Sequence, residues 1–214
     1  VDVSNWAGVR STFSMALDTQ RNLTFLGLDL GFFGFYNVSS NQSFTLSASD
    51  PGDWFEAAAI NALAYDRKND LVFLGLNGGR FGAYNFSSNV TSNLTGTDPG
   101  DWMTTNNTLS LAFDSRRNLT FLGLADGKFG VYNFSANVTS NLSETDTNNW
   151  IGTSDINALA YDSKNDLVFL GLANGKFGVY NFSSNITSNL SETDPGDWIS
   201  TTGINALTFD NNAT

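Results

Sequence analysis

Apolar residues in this chain come in short bursts divided by polar turns, and the bursts return every 48 residues. The copy from Ile60 shows the pattern. Residues Ile60 to Tyr65 predict a first strand, and Asp66 to Asn69 a polar turn. Asp70 to Leu76 is a continuous apolar run, as expected of a strand covered on both faces. Asn77-Gly78-Gly79 predicts a hairpin, since Asn and Gly tolerate positive φ. Arg80 to Asn85 predicts a third strand and Phe86 to Thr95 an alternating fourth. Thr97 to Trp102 then carries the chain to the next copy, with Pro99-Gly100 suited to a type II turn.

The register never slips. Trp6, Trp54, Trp102, Trp150 and Trp198 keep it, as do Asp18, Asp66, Asp114, Asp162 and Asp210. A tandem unit of this length is one supersecondary element copied in series. Four antiparallel strands per unit, with no helical period, predict an all-β fold: a β-propeller of four-stranded antiparallel blades. The repeats run approximately 11–58, 59–106, 107–154 and 155–202, with a partial copy at 203–214, all in one repeat domain. The segments 121–146 and 169–194 differ at only three positions, which points to recent amplification.

The hairpin from Val72 to Asn85 resembles blades of quinoprotein-type and regulator-type propeller repeats. The resemblance covers about 20 residues per repeat and implies the fold. It brings no quinone site, because nothing here matches those site residues. A β-solenoid is the structural alternative, although its coils are usually shorter.

Strands two to four occur four times, but the first strand occurs five times: 12–17, 60–65, 109–113, 156–161 and 204–209. Three explanations stand open. The chain is a window on a longer array, or the last strand completes a blade in a neighbouring molecule, or it displaces residues 12–17 in its own ring. Unpaired strand edges and strand exchange build head-to-tail polymers. Ile204, Ala206, Leu207 and Phe209 are therefore candidate assembly residues. Leu30 and Phe32 join them. They put two apolar side chains at a hairpin tip where other copies have Gly78, Asp126 and Asn174, or Arg80, Lys128 and Lys176.

Asn-x-Ser/Thr occurs fifteen times. Three sequons per copy sit along the expected fourth strand: Asn85, Asn89 and Asn93; Asn133, Asn137 and Asn141; Asn181, Asn185 and Asn189. The first copy keeps Asn37 and Asn41. A spacing of four would put all three on one strand face, with Phe86, Val90 and Leu94 opposite. Asn22 and Asn118 add sequons in alternate copies, where the others have Asp70 and Asp166. A 96-residue super-repeat therefore underlies the 48. Asn106 and Asn212 complete the set. Bulky surface N-glycans fit this pattern and place the chain outside the cell or at its surface.

Composition narrows the chemistry. Charged residues are 14% of the chain against a usual value of about 25%, and the net charge is −11. That argues against nucleic acid and anionic membranes as partners. With no Cys and no His, the common zinc sites, thiol nucleophiles and imidazole bases are missing. No apolar run is long enough to span a membrane, so no membrane insertion is expected. Val1 is not a start Met, and the chain reads as a processed or partial product. Asp98 with Asp101, and the matching pairs Asp50 with Asp53 and Asp194 with Asp197, invite a calcium reading. Calcium needs six or more oxygens, so an Asx-type turn explains them better. Every acid/base candidate is repeated, so no enzyme and no cofactor is expected. The reading is a glycosylated extracellular scaffold whose partner is itself. The alternative is a lectin-like propeller binding sugars through Trp6, Trp54, Trp102, Trp150 and Trp198; a packing role for these tryptophans weighs against it.

Overall fold

The computed structural model describes residues 10–46, 54, 57–103, 105–191 and 202–209. Trp6, Trp198, Asn212, and the Asp50/Asp53 and Asp194/Asp197 pairs lie outside those residues. The fold is all-β, in four four-stranded antiparallel sheets that each run in simple sequence order. Blade 1 holds β1 (Thr12–Asp18), β2 (Leu23–Leu28), β3 (Phe33–Asn37) and β4 (Gln42–Thr45). Blade 2 holds β5 (Ile60–Asp66), β6 (Leu71–Leu76), β7 (Phe81–Asn85) and β8 (Val90–Asn93). Blade 3 holds β9 (Thr108–Asp114), β10 (Leu119–Leu124), β11 (Phe129–Asn133) and β12 (Val138–Asn141). Blade 4 holds β13 (Ile156–Asp162), β14 (Leu167–Leu172), β15 (Phe177–Asn181) and β16 (Ile186–Asn189).

The core lies between sheets rather than within one. β1, β5, β9 and β13 pack side by side, and three apolar clusters fill the three junctions between successive blades. This arrangement explains the continuous apolar second strand. β6 and β10, in the inner blades, are buried at every residue. β2 and β14, in the terminal blades, are buried on the face that meets a neighbour and only half-buried at alternate positions on the other. No sheet closes on itself, and the first strands of all four blades line one cavity together with residues 205–207.

The fourth strand is shorter than the alternation predicts. β8 covers only Val90–Asn93, and residues 86–89 are a turn closed by Asn89 at φ 55°. That turn resets the face. Thr91 is the buried residue of β8, whereas Val90 is 41% exposed. Phe86 and Leu94 pack against blade junctions, but from outside the strand. The predicted single ladder of Asn on one strand face is therefore replaced by three separate turn positions.

The fifth copy of the first strand does not displace β1, which is paired along its length with β2. Residues 202–209 lie against blade 4 instead. The Ile204 N–H donates to the Leu172 carbonyl at 3.0 Å. The Ile204 side chain covers Gly171 as Ile60 covers Gly27 and Ile156 covers Gly123. Phe209 stacks on Phe169 with centroids 5.9 Å apart, repeating the Phe113–Phe73 contact at 5.7 Å. The segment sits where a fifth blade would begin, yet it belongs to none of the sheets.

Candidate glycan rims and assembly surface

The sequon asparagines of the blade turns each have a local structural task. Those at the end of the third strand accept an N–H three residues on: Asn37 from Ser40, Asn85 from Ser88, Asn133 from Ala136 and Asn181 from Ser184, all at 2.9–3.1 Å. Asn41, Asn89, Asn137 and Asn185 sit at φ 51–56°, where Asn is among the few side chains tolerated. Their Oδ1 atoms accept from the hydroxyls of Tyr36, Tyr84, Tyr132 and Tyr180 at 2.8–3.0 Å. Asn93, Asn141 and Asn189 accept from the N–H two residues on at 2.9 Å, forming Asx turns. Turn geometry thus explains why a residue poor in strands recurs here.

The three positions occupy two rims. In an antiparallel sheet in sequence order, the first and third connections share one end of the blade. The backbone ties them together: Phe86 N–H donates to the Asp70 carbonyl and Phe134 N–H to that of Asn118. Asn37 and Asn41, Asn85 and Asn89, Asn133 and Asn137, and Asn181 and Asn185 therefore line one rim. Asn93, Asn141 and Asn189 line the other. Asn22 lies on the first rim, exposed, with its Nδ2 donating to Ser39 Oγ at 3.1 Å. Asn118 is half-buried at a blade junction, its Oδ1 accepting from Asn69 at 3.4 Å. Asn106 differs from the other sequons: it is 8% exposed, and in its bonded orientation its amide donates to Asp126 and accepts from Lys128.

The tryptophans bridge blades. Trp102 and Trp150 are 8% and 5% exposed. The indoles of Trp54, Trp102 and Trp150 occupy the space a Cβ would need at Gly82, Gly130 and Gly178 in the third strand of the following blade. Only a residue without a side chain admits the ring there. Trp54 Nε1 donates to Thr91 Oγ1 at 3.3 Å, while the Nε1 atoms of Trp102 and Trp150 are buried without a partner among the described residues. Aspartates hold the loops that carry these rings. Asp98 accepts from Met103 N–H at 2.8 Å, and Asp146 from Ile151 N–H at 2.9 Å. These carboxylates act as turn caps.

The junctions come in two kinds, which the sequence reading missed. Buried Asp18, Asp66, Asp114 and Asp162 cap the first turn of every blade. Around that constant centre, junctions 1–2 and 3–4 carry ion clusters. Arg21 pairs with Asp70 at 2.6 Å and Asp18 at 3.2 Å, and lies over Phe86. The Tyr65 hydroxyl reaches Asp18 at 3.1 Å. Arg117 pairs with Asp166 at 2.7 Å and Asp114 at 2.9 Å, and lies over Phe182; Arg116 also meets Asp166. The Arg117 hydrogen bond holds the Asp166 pKa down at about 2. Burial opposes the same effect at Asp70, but the bonds from Arg21 and Ser87 win and its pKa is lowered. Burial, reinforced by Asp18, raises that of Tyr65. Junction 2–3 has Phe113 in place of the tyrosine, Asn118 in place of the aspartate and Asn69 in place of the arginine. The signal was present in the alternation of Asn22 and Asn118 with Asp70 and Asp166, but it points to junctions only once residues 49 apart are known to meet.

Two half-junctions lie open. On blade 1, Met15 is 65% exposed and Leu17 62%, against 8% for the matching Leu63. On blade 4, an apolar groove runs between Ala160, Phe169, Phe177 and the segment Leu207–Phe209. Of the other assembly candidates, Ala206 is exposed and Ile204 and Leu207 are half-buried. Leu30 is 56% exposed at φ 54°, a conformation unfavourable for a bulky side chain. Phe32 is half-buried beneath the Arg10 guanidinium, 3.4 Å from its ring centroid.

No family model matches the chain, and no curated protein does. Solved structures do match in fold. A chain in the crystal structure of the mitotic checkpoint complex aligns with a TM-score of 0.66 at 15% identity, covering 91% of this chain and 53% of that one. The extracellular domain of BT4673 from B. thetaiotaomicron, described as a one-component system, aligns with a TM-score of 0.63 at 19% identity, covering 84% of this chain and 22% of that one. This chain therefore spans about half the first structure and about a fifth of the second. At these identities the likeness is one of fold, and it fits a β-propeller-like array.

Proposed function

We propose that the chain is an extracellular, N-glycosylated structural scaffold that self-assembles head to tail, through the surplus segment Ile204–Phe209, into a filament or surface layer. One observation carries this reading: the two ends of the array expose the two halves of a junction that is filled three times inside it. Apolar faces such as that of Met15 and Leu17 mark interaction sites when they stand uncovered. The heterologous geometry repeats without closing on a two-fold axis, which favours filaments or large rings. Sequons on both rims suit the same role, because a glycan coat there leaves the blade faces clear. A lectin-like role for the tryptophans has less support, since the rings of Trp102 and Trp150 are covered.

Two measurements test the proposal together. The intact mass of the secreted chain should fall on enzymatic removal of N-glycans, and sedimentation should show mass growing with concentration. An unglycosylated chain that stays monomeric at every concentration would overturn it.

A further inference from the structure

We infer that the space between residues 202–209 and blade 1 is a slot for a three-stranded β-segment of this repeat's own pattern. The segment pairs with Ile204–Phe209 and completes a fifth blade. This inference rests on the reading of the surplus segment as an assembly element, and it names what that element takes.

The slot has three walls. The first is Ile204–Phe209 itself, placed as a first strand by Ile204 on Gly171 and Phe209 on Phe169, yet joined to no sheet. Its outer backbone edge offers the hydrogen bonds that β6 takes from β5 and β14 from β13. The second wall is the groove of Ala160, Phe169 and Phe177 on blade 4. In blade 2 the equivalent residues Ala64, Phe73 and Phe81 are buried under blade 3. The third is the uncovered face of Met15 and Leu17. The walls belong to one ring of first strands, because Ser14 and Met15 of β1 and Asn205 to Leu207 line a central cavity that β5, β9 and β13 line as well.

The three inner junctions define the occupant. It must be extended, with apolar residues on both faces of its first strand, as in β6 and β10. Its second strand needs a glycine where Gly82, Gly130 and Gly178 admit an indole. Its junction with blade 4 should be of the neutral kind. Asn165 and Phe209 stand where Asn69 and Phe113 stand at junction 2–3, so the occupant needs an amide in the place of Asn118 rather than a carboxylate. Strands β2 to β4 of a second copy carry these residues, with Asn22 at that position and Gly34 at the other, and they enter the slot by exchanging their own β1, which holds the same edge of β2, for Ile204–Phe209.

Cysteine capture tests this cleanly, because the chain has no Cys of its own. Leu207 stands 48 residues after Leu159, which pairs with Leu170. The full chain carrying Leu207→Cys is mixed with a synthetic peptide of residues 166–191 carrying Asp166→Asn, to supply the amide, together with Leu170→Cys, or with Val168→Cys as a register control. Oxidation should join the Leu170→Cys peptide at least tenfold faster than the control. Equal capture of both peptides, or of neither, would overturn the slot. The full-length double variant Leu207→Cys/Leu26→Cys then separates the two readings, since Leu26 pairs with Met15, the first-copy counterpart of Leu207. A ladder of disulfide-linked oligomers supports a second copy as occupant. Peptide capture without a ladder keeps the slot and removes the self-assembling scaffold.

Discussion

Junctions 1–2 and 3–4 do with charge what junction 2–3 does with an amide and a bare ring. All three bury the same aromatic stack, Tyr65 on Phe25, Phe113 on Phe73 and Tyr161 on Phe121, at 5.7–6.0 Å. All three anchor it beside a buried turn aspartate. What differs is the rim of the contact. Arg21 and Arg117 each bind two carboxylates and cover a phenylalanine. Junction 2–3 leaves the matching Phe134 37% exposed and relies on Asn69 and Asn118. Apolar burial is thus the common binding force, and charge an addition at alternate junctions that sets which faces match. The open ends follow the same rule, since Asn165 on blade 4 and Asn22 on blade 1 are both of the neutral kind.

The largest effect should come from what the junctions share. Trp102→Ala and Trp150→Ala each empty an indole from a blade-to-blade contact and should cost about 3–5 kcal/mol, measured by urea unfolding. Asp66→Ala and Asp114→Ala should come next, each near ~2–3 kcal/mol, because each leaves buried turn N–H groups unpaired at either kind of junction. Replacing Arg117 with Met separates the kinds. It should cost about 1 kcal/mol, whereas Asn69→Ala should cost less.

Acid sharpens the comparison. Asp70 and Asp166 are held below the ordinary carboxylate value of 3.8, Asp166 at about 2. The stability they give is therefore complete above that value and is lost as pH falls towards 2. Melting temperature should drop across that window, and Asp70→Asn/Asp166→Asn should remove most of the drop. Asp162 leaves a remainder: although burial opposes it, bonds from Asn165 and Lys164 hold its carboxylate low in a turn. The one stabilising change is Leu30→Gly. It relieves a positive φ and should stabilise the monomer by about 1 kcal/mol while weakening self-association. A gain in stability with unchanged assembly would remove Leu30 from the contact.

The repeat, the four strands per blade and their turns were legible because a strict period repeats every local signal. The fourth strand was misjudged where Asn89 turns the chain at positive φ inside a run that still alternates. Alternation cannot reveal a reset of face when both neighbours are strand-like. The Trp–Gly contact was hidden for another reason. Trp54 precedes blade 2 and Gly82 lies 28 residues later in its third strand, so no local pattern joins them. The sequons were visible as a ladder, but their arrangement on two rims depends on strand order, and the burial of Asn106 depends on Asp126 and Lys128.

Electron microscopy of the chain purified with its glycans tests the central claim most directly. The account predicts continuous arrays in which blade follows blade across molecular boundaries, with side density at the two rims and none between blades. Isolated particles of single-chain size, with blade 1 and residues 202–209 uncovered at high concentration, would contradict it.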